Sequence, residues 1–160
     1  MMSERAQALA EQFEQANNEA IATVEGCSDE QWRRHVESEN RSVGVVMHHV
    51  AIAHPVIAGW VTAAARGWDV GVERGWFDQV NAQHAREQAH CTKAETLALL
   101  RRNGEAAARV VRALDDSQLD SSATIITGRP PLTAQQVTKR ILIGHVRGHL
   151  ATIQTAIGVS

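Results

Sequence analysis

Residues 144–153 read GHVRGHLATI, and the fold of the whole chain can be worked out from this stretch. His145 and His149 are four residues apart, so on a helix their side chains share one face, with Cβ atoms about 5–6 Å apart. Both imidazoles can then reach one metal ion. Catalytic zinc usually takes three protein ligands and leaves a position for water or substrate, so a third histidine on another helix is required. The spacing alone is weak evidence in a chain with eight histidines.

Apolar residues recur every three or four positions along the chain, which predicts helices rather than strands. Aromatic residues make up 4% of the chain, tyrosine is absent, and glycine and proline are confined to a few places. N-cap residues predict long helices that begin at Ser42, Thr92 and Thr133, and an apolar stripe predicts a first helix from about Ser3, with Gly26 as its C-cap. The predicted fold class is therefore all-α, as a four-helix bundle.

His49, in the second predicted helix, is the candidate third ligand, and its position tests the topology. At a rise of about 1.5 Å per residue, His49 lies about 10 Å from the start of its helix, whereas His145 and His149 lie about 18 and 24 Å from the start of theirs. Parallel second and fourth helices would leave the histidines about 8–14 Å out of level, and antiparallel ones bring them nearly level. The second and third helices must then be parallel and joined by a long crossover connection. Residues 67–91 form the longest connection in the chain.

Composition favours one domain over residues 1–160, because 160 residues with 44% hydrophobic composition can form a substantial core. A net charge of −2 provides no basic surface for nucleic acid or for an anionic membrane. No apolar run is expected to reach the length of a membrane span. Cys27 and Cys91 are too few for a disulfide framework, and the N-terminal residues lack the apolar core of a signal peptide. We therefore expect a cytoplasmic protein.

Two segments carry a resemblance to a known family. Residues 42–51, SVGVVMHHVA, match a segment of the type SVGxVLxHLA, and residues 144–153 match GHxxxHLxxI. In both respects the chain resembles the DinB/YfiT-like family of four-helix metal-binding proteins, over nearly its whole length. The ligand position of the first segment falls on His49 and not on His48. The family often has tryptophan immediately before this segment, where this chain has Arg41.

The resemblance implies a bundle with parallel second and third helices, a divalent metal on His49, His145 and His149, and a homodimer. Relatives of this kind include thiol S-transferases and a mycothiol-dependent isomerase. Three neutral imidazoles with an open position suit zinc, while nickel or another divalent ion is an alternative.

Other histidines are assigned more ordinary roles. His48 is expected at the boundary of the core or hydrogen-bonded to a ligand, and His54 is expected at the surface or in packing. Asn81 and His84 lie late in the long connection, where they either face the metal pocket or belong to a solvated short helix. The tryptophans of the second helix and the long connection are interpreted as core and loop packing rather than as a substrate cage: Trp60, Trp68 and Trp76.

The expected function is that of a metal-dependent thiol S-transferase, which uses a low-molecular-weight thiol and a small-molecule substrate. A metal can lower the pKa of a bound sulfur so that it attacks an electrophile. Activation of water would need a nearby carboxylate base, for which the sequence offers no good candidate, and no nucleophile with its base can be identified. The alternative is a non-enzymatic protein that binds a metal or small ligand in a stress response.

A homodimer is also expected from the pattern of the fourth helix. Its predicted buried ridge contains His145 and His149, but further apolar residues lie outside that ridge: Leu142, Ile143, Val146 and Leu150. Gly144 and Gly148 would allow another backbone to approach closely. Packing of these residues within one chain is the alternative.

Overall fold

The computed structural model describes residues 2–158. In chain order its helices are α1 (Glu4–Gly26), α2 (Asp29–Arg33), α3 (Val43–Ala65), α4 (Arg74–Glu87), α5 (Lys93–Arg112), α6 (Asp116–Asp120), α7 (Ala134–Gln136) and α8 (Gly144–Ile157). A π-helical segment, Val137–Ile143, joins α7 to α8 without a break. Two short antiparallel pairs connect the helices, β1 (His35–Val36) with β2 (Arg41–Ser42), and β3 (Ser122–Ala123) with β4 (Leu132–Thr133). The long helices α1, α3, α5 and α7–α8 form the predicted four-helix bundle.

The predicted helix starts are confirmed, because Ser3, Ser42, Thr92 and Thr133 each accept a hydrogen bond from a backbone N–H three residues later. The predicted end of the first helix is wrong by one residue. Cys27 is the C-cap, and its φ of −69° and ψ of 131° are extended. Since the chain leaves α1 in an extended conformation, no left-handed glycine is needed there.

Contacts between α3 and α5 connect equivalent levels of the two helices. The indole of Trp32 packs on Gly44 at the start of α3, where an added Cβ would lie 2.6 Å from the ring. The same indole N–H donates to the carbonyl of Cys91, just before α5, at 3.0 Å. Further along, Asn103 donates to the carbonyl of Ala51 at 3.0 Å. These contacts are consistent with the parallel arrangement expected for these helices.

The most buried of the long helices is α3. By length and composition alone it could cross a membrane, with a mean hydropathy of 1.4 in its most apolar window, but 67% of that window is buried in the bundle. The expectation that no apolar run reaches this length is therefore wrong for α3. A core helix surrounded by other helices is apolar on most of its faces, and this accounts for the pattern.

The last long helix differs from its predicted regular form. The π-helical segment adds residues to its turns, so that the expected four-residue ridge does not continue through Val137–Ile143. Thr138, in this segment, donates from its hydroxyl to the carbonyl of Ala134 at 2.9 Å. The apolar residues assigned to a dimer interface are buried within the single chain: Leu142, Ile143, Val146 and Leu150. The sequence argument for a dimer on this helix therefore loses its basis.

The long connection between α3 and α5 contains α4. Gly67 and Gly71 have φ of 70° and 67°, which a glycine adopts without strain, and they turn the chain after α3. Val72 then pairs with Ile126 of the later loop, donating to the carbonyl of Ile125 at 2.8 Å. Helix α4 follows and buries His84 toward α3.

Candidate metal centre

The structure brings together the three histidines that the sequence identified as metal ligands. His49 lies on α3, and His145 and His149 lie on α8. One ring nitrogen of each lies within 4.8 Å of those of the other two. Nε2 of His49 and Nε2 of His145 are 2.9 Å apart. The geometry brings three potential ligands to one point, which metal binding on these residues requires.

Burial keeps two of these imidazoles neutral. It lowers the pKa of His49 to about 2, with a smaller effect from His145, and lowers the pKa of His145 to about 3, with a smaller effect from His149. At neutral pH both rings therefore carry a free lone pair instead of a second proton. Converging neutral imidazoles are the donors that zinc and similar divalent ions prefer, so the residues fit such an ion.

Glu39 fixes the orientation of His149. It ends the 3₁₀ helix Glu37–Glu39 between β1 and β2, and its carboxylate oxygens lie 2.8 and 2.9 Å from Nδ1 of His149. A carboxylate can only accept here, so Nδ1 carries the proton and Nε2 is free to bind a metal. Thr152 donates its hydroxyl to the same carboxylate, and Arg41 donates at 2.8 Å.

The charge on Glu39 is stable although its side chain is only 8% exposed. Burial alone would raise its pKa, but the hydrogen bonds from His149, Thr152 and Arg41 outweigh burial and lower the pKa to about 2. Such a carboxylate is a weak base with its oxygens already engaged. It therefore positions His149 and is poorly suited to removing a proton from water or substrate.

Sequence analysis did not identify Glu39. The β1–β2 hairpin places it, with Asn40 in the left-handed region at φ 52° and Val36 paired with Arg41. A signal was present, because Arg41 directly precedes the segment that contains His49 and has an acidic residue two positions earlier. The side chain of Arg41 pairs with Glu39 through a 2.8 Å contact.

We expect Glu39→Gln to weaken zinc binding by about 10–100-fold, because the neutral amide no longer stabilises the Nδ1–H form of His149. The zinc dissociation constant, measured by competition with a chelator, checks this. Glu37→Gln is the matched control, since Glu37 is exposed on the same 3₁₀ turn. Equal zinc affinity in the two variants would show that Glu39 does not support the site.

His48 and His84 form a buried pair behind His49. Nδ1 of His48 lies 2.8 Å from Nε2 of His84, and the ring of His84 meets that of His49 edge to face at 5.8 Å. Burial, then His48, lowers the pKa of His84 to about 4, and burial lowers the pKa of His48. His84 is thus buried and not part of a solvated face.

His54 has a packing role, one of the two expected alternatives. Its side chain is fully buried, and its Nε2 lies 2.8 Å from Oδ1 of Asn17 on α1. The amide nitrogen of Asn17 donates to the carbonyl of Leu100 at 2.9 Å, so Oδ1 is the acceptor and His54 donates. This network links α1, α3 and α5 and does not reach the metal ligands.

His49, His145 and His149 line a cavity of about 380 Å³. Asn81 lines the same cavity, whereas His84 lies behind His49. Trp60 lies in the hydrophobic core, as expected, and both Trp60 and Trp76 also line the cavity. The remaining walls are apolar: Ile52, Ala53, Val56, Ile57, Phe77, Val80, Ile126 and Ile141. Trp68 is exposed, with the guanidinium of Arg66 4.8 Å above its ring, as expected for loop packing.

Comparisons with known proteins agree with this fold. The sequence profile of the DinB superfamily matches residues 12–153. The solved structure of YfiT from Bacillus subtilis, described as a probable metal-dependent hydrolase with an unusual four-helix bundle topology, aligns with a TM-score of 0.78. The alignment covers 97% of this chain and 89% of that chain at 16% sequence identity, and such a likeness shows the fold. No curated protein matches the chain.

Proposed function

The chain belongs to the DinB superfamily, and we propose that it is a metal-dependent thiol S-transferase in which His49, His145 and His149 hold one divalent ion, with zinc as the expected ion. One observation carries the proposal. The three histidines face a cavity that, within residues 2–158, has no serine, threonine, cysteine, lysine or carboxylate among its lining side chains. No described side chain of these types is placed in the cavity to act as a nucleophile, so we assign that role to the thiol substrate.

When bound, a divalent ion lowers the pKa of a thiol in contact with it, so that the sulfur can attack an electrophile at neutral pH. In the transfer, the thiol proton goes to solvent and sulfur forms a bond to an electrophilic carbon. The leaving group departs with the electron pair of the bond that breaks. His49 and His145 provide neutral ring nitrogens, and Glu39 keeps Nε2 of His149 unprotonated. The mostly apolar walls offer few polar groups that would hold a competing water.

Thiol transfer fits the site better than hydrolysis. Water needs a free general base near the site, and the carboxylate beside the ligands, Glu39, already accepts bonds from His149, Thr152 and Arg41. A thiol needs less assistance, because its own pKa is far closer to neutral than that of water.

The zinc-loaded protein is therefore expected to transfer low-molecular-weight thiols to 1-chloro-2,4-dinitrobenzene, with release of chloride. The test panel contains cysteine, glutathione, mycothiol and bacillithiol, and the rate with at least one should fall about 10-fold or more when zinc is removed. Cys27→Ala and Cys91→Ala should keep activity, because neither thiol lines the cavity. Loss of turnover in zinc-loaded Cys27→Ala would indicate a protein nucleophile instead. No zinc-dependent turnover with any thiol would favour non-enzymatic binding of a metal or small ligand.

A homodimer stays a prediction that follows from the family alone. Light scattering distinguishes a 17.4 kDa monomer from a particle of twice that mass. A monomer at micromolar concentration would contradict the dimer and would leave the metal centre unaffected, since His49, His145 and His149 all come from one chain.

A further inference from the structure

The walls of the histidine cavity carry no charge apart from what its histidines can acquire. Within residues 2–158, its lining contains no lysine, arginine, aspartate or glutamate, and Asn81 contributes the amide. Away from the three histidines, an ionised ligand would lose its hydration without gaining an opposite charge from the walls. The walls of the cavity therefore favour an uncharged ligand, and a negative group would be accepted only next to a bound metal ion.

Three aromatic side chains form one side of the cavity. The ring of Phe77 lies between two indoles, with its centroid 6.0 Å from that of Trp60 and 5.3 Å from that of Trp76, both edge to face. A planar ring can continue such packing through offset or edge-to-face contacts. The volume of about 380 Å³ is near the lower end of the range for small-molecule sites. A cavity of this size suits a single ring or two fused rings.

Exposed apolar side chains surround the cavity. Val56, Trp76 and Val80 line it and are still 43%, 40% and 36% exposed. Large apolar side chains that remain in contact with water around a concave site are typical of ligand-binding surfaces. Helix α4, which carries two of them, buries only His84 among its 14 residues. An apolar molecule can thus reach the cavity past side chains that favour it.

We infer that this cavity binds an uncharged aromatic compound of one or two rings, with Asn81 available to hydrogen-bond one polar substituent. The further role of this compound as the electrophilic acceptor rests on the proposed thiol transfer, whereas its binding does not. In that role sulfur bonds to a carbon of the aromatic compound, the leaving group departs with the electron pair of the broken bond, and the thiol proton passes to solvent. A charged or sugar-bearing thiol keeps its polar part outside the apolar walls.

The test compares 1-naphthol with 1-naphthoate, which has the same rings and a negative charge. Calorimetric titration of the full chain, with and without zinc, measures both dissociation constants. The metal-free measurement matters because a carboxylate can bind zinc directly. We expect 1-naphthol to bind at least 10-fold more tightly than 1-naphthoate to the metal-free protein.

The substitution Val80→Glu should weaken the binding of 1-naphthol at least 10-fold. Val70→Glu is the matched control, since Val70 is 37% exposed and lies outside the cavity.

Each outcome decides for or against the inference. The inference is overturned if 1-naphthol shows no saturable binding or if the two compounds bind equally well. It is also overturned if Val70→Glu and Val80→Glu weaken 1-naphthol binding to the same extent. A dimer that dissociates in Val80→Glu, without 1-naphthol binding to either protein, would instead assign the exposed apolar residues to a second copy of the chain. Binding of 1-naphthol without thiol turnover would support the ligand class while contradicting the proposed transfer. Turnover restricted to charged acceptors, with no 1-naphthol binding, would support the proposed transfer and contradict the ligand class.

Discussion

His149→Ala is expected to abolish stoichiometric zinc retention and thiol turnover while the bundle stays folded. The substitution removes one of three converging imidazoles and also leaves Glu39 without the ring that it orients. Loss of a ligand from a three-histidine site should weaken zinc binding by more than the 10–100-fold typical of losing a residue behind a ligand. The side chain of His149 is 22% exposed, so the core loses little apolar contact.

Zinc content after loading and dialysis, measured by mass spectrometry, gives the first result, and circular dichroism reports the fold. His90→Ala is the control, because His90 is an exposed histidine that lies outside the cluster. It should retain the same zinc as the unsubstituted protein. One equivalent of zinc in His149→Ala would show that the metal is held elsewhere or by the remaining pair. A helical signal that falls together with the zinc content would assign His149 to folding rather than to the metal.

The sequence predicted the ligand cluster because its geometry is mostly local. The four-residue step from His145 to His149 lies in the α-helical part of the last helix, where it places both rings on one face. Only the level of His49 depended on topology, and it followed from the crossover connection together with the match to the SVG segment. The N-caps were predictable for the same reason, since Ser42 and Thr133 bond to groups three residues away.

Features that depend on tertiary contacts were not predictable in this way. Glu39 reaches His149 only because the short β1–β2 hairpin folds against α8, and the two residues are 110 positions apart in sequence. The cavity walls combine α3, α4, the later loop and the last helix, so the period of any one helix does not reveal that Trp60 and Trp76 line the same cavity. The π-helical segment contains no proline or glycine that would mark it.

Acid should destabilise the metal-free protein, and His54 is expected to account for about 2 kcal/mol of the loss between pH 7 and pH 5. Burial lowers the pKa of this histidine to about 4 from an ordinary value of 6.5. Between these values the unfolded chain binds a proton at His54 that the folded chain does not. Its contribution is therefore complete above about pH 6.5 and is lost as the pH falls toward 4.

The full loss expected from this shift is about 3 kcal/mol, because each unit of pKa corresponds to about 1.4 kcal/mol. His54→Gln isolates it, since glutamine does not titrate and its amide can still donate to Oδ1 of Asn17. Urea unfolding without zinc at pH 7 and pH 5 should show a pH-dependent loss about 2 kcal/mol smaller in His54→Gln than in the unsubstituted protein. Any constant cost of repacking cancels in this difference. His90→Gln, at an exposed histidine, should leave the pH dependence unchanged. If His54→Gln and the unsubstituted protein showed the same pH dependence, protonation of His54 would not lower the free energy of unfolding. That result would contradict the expectation from its complete burial between α1 and α3.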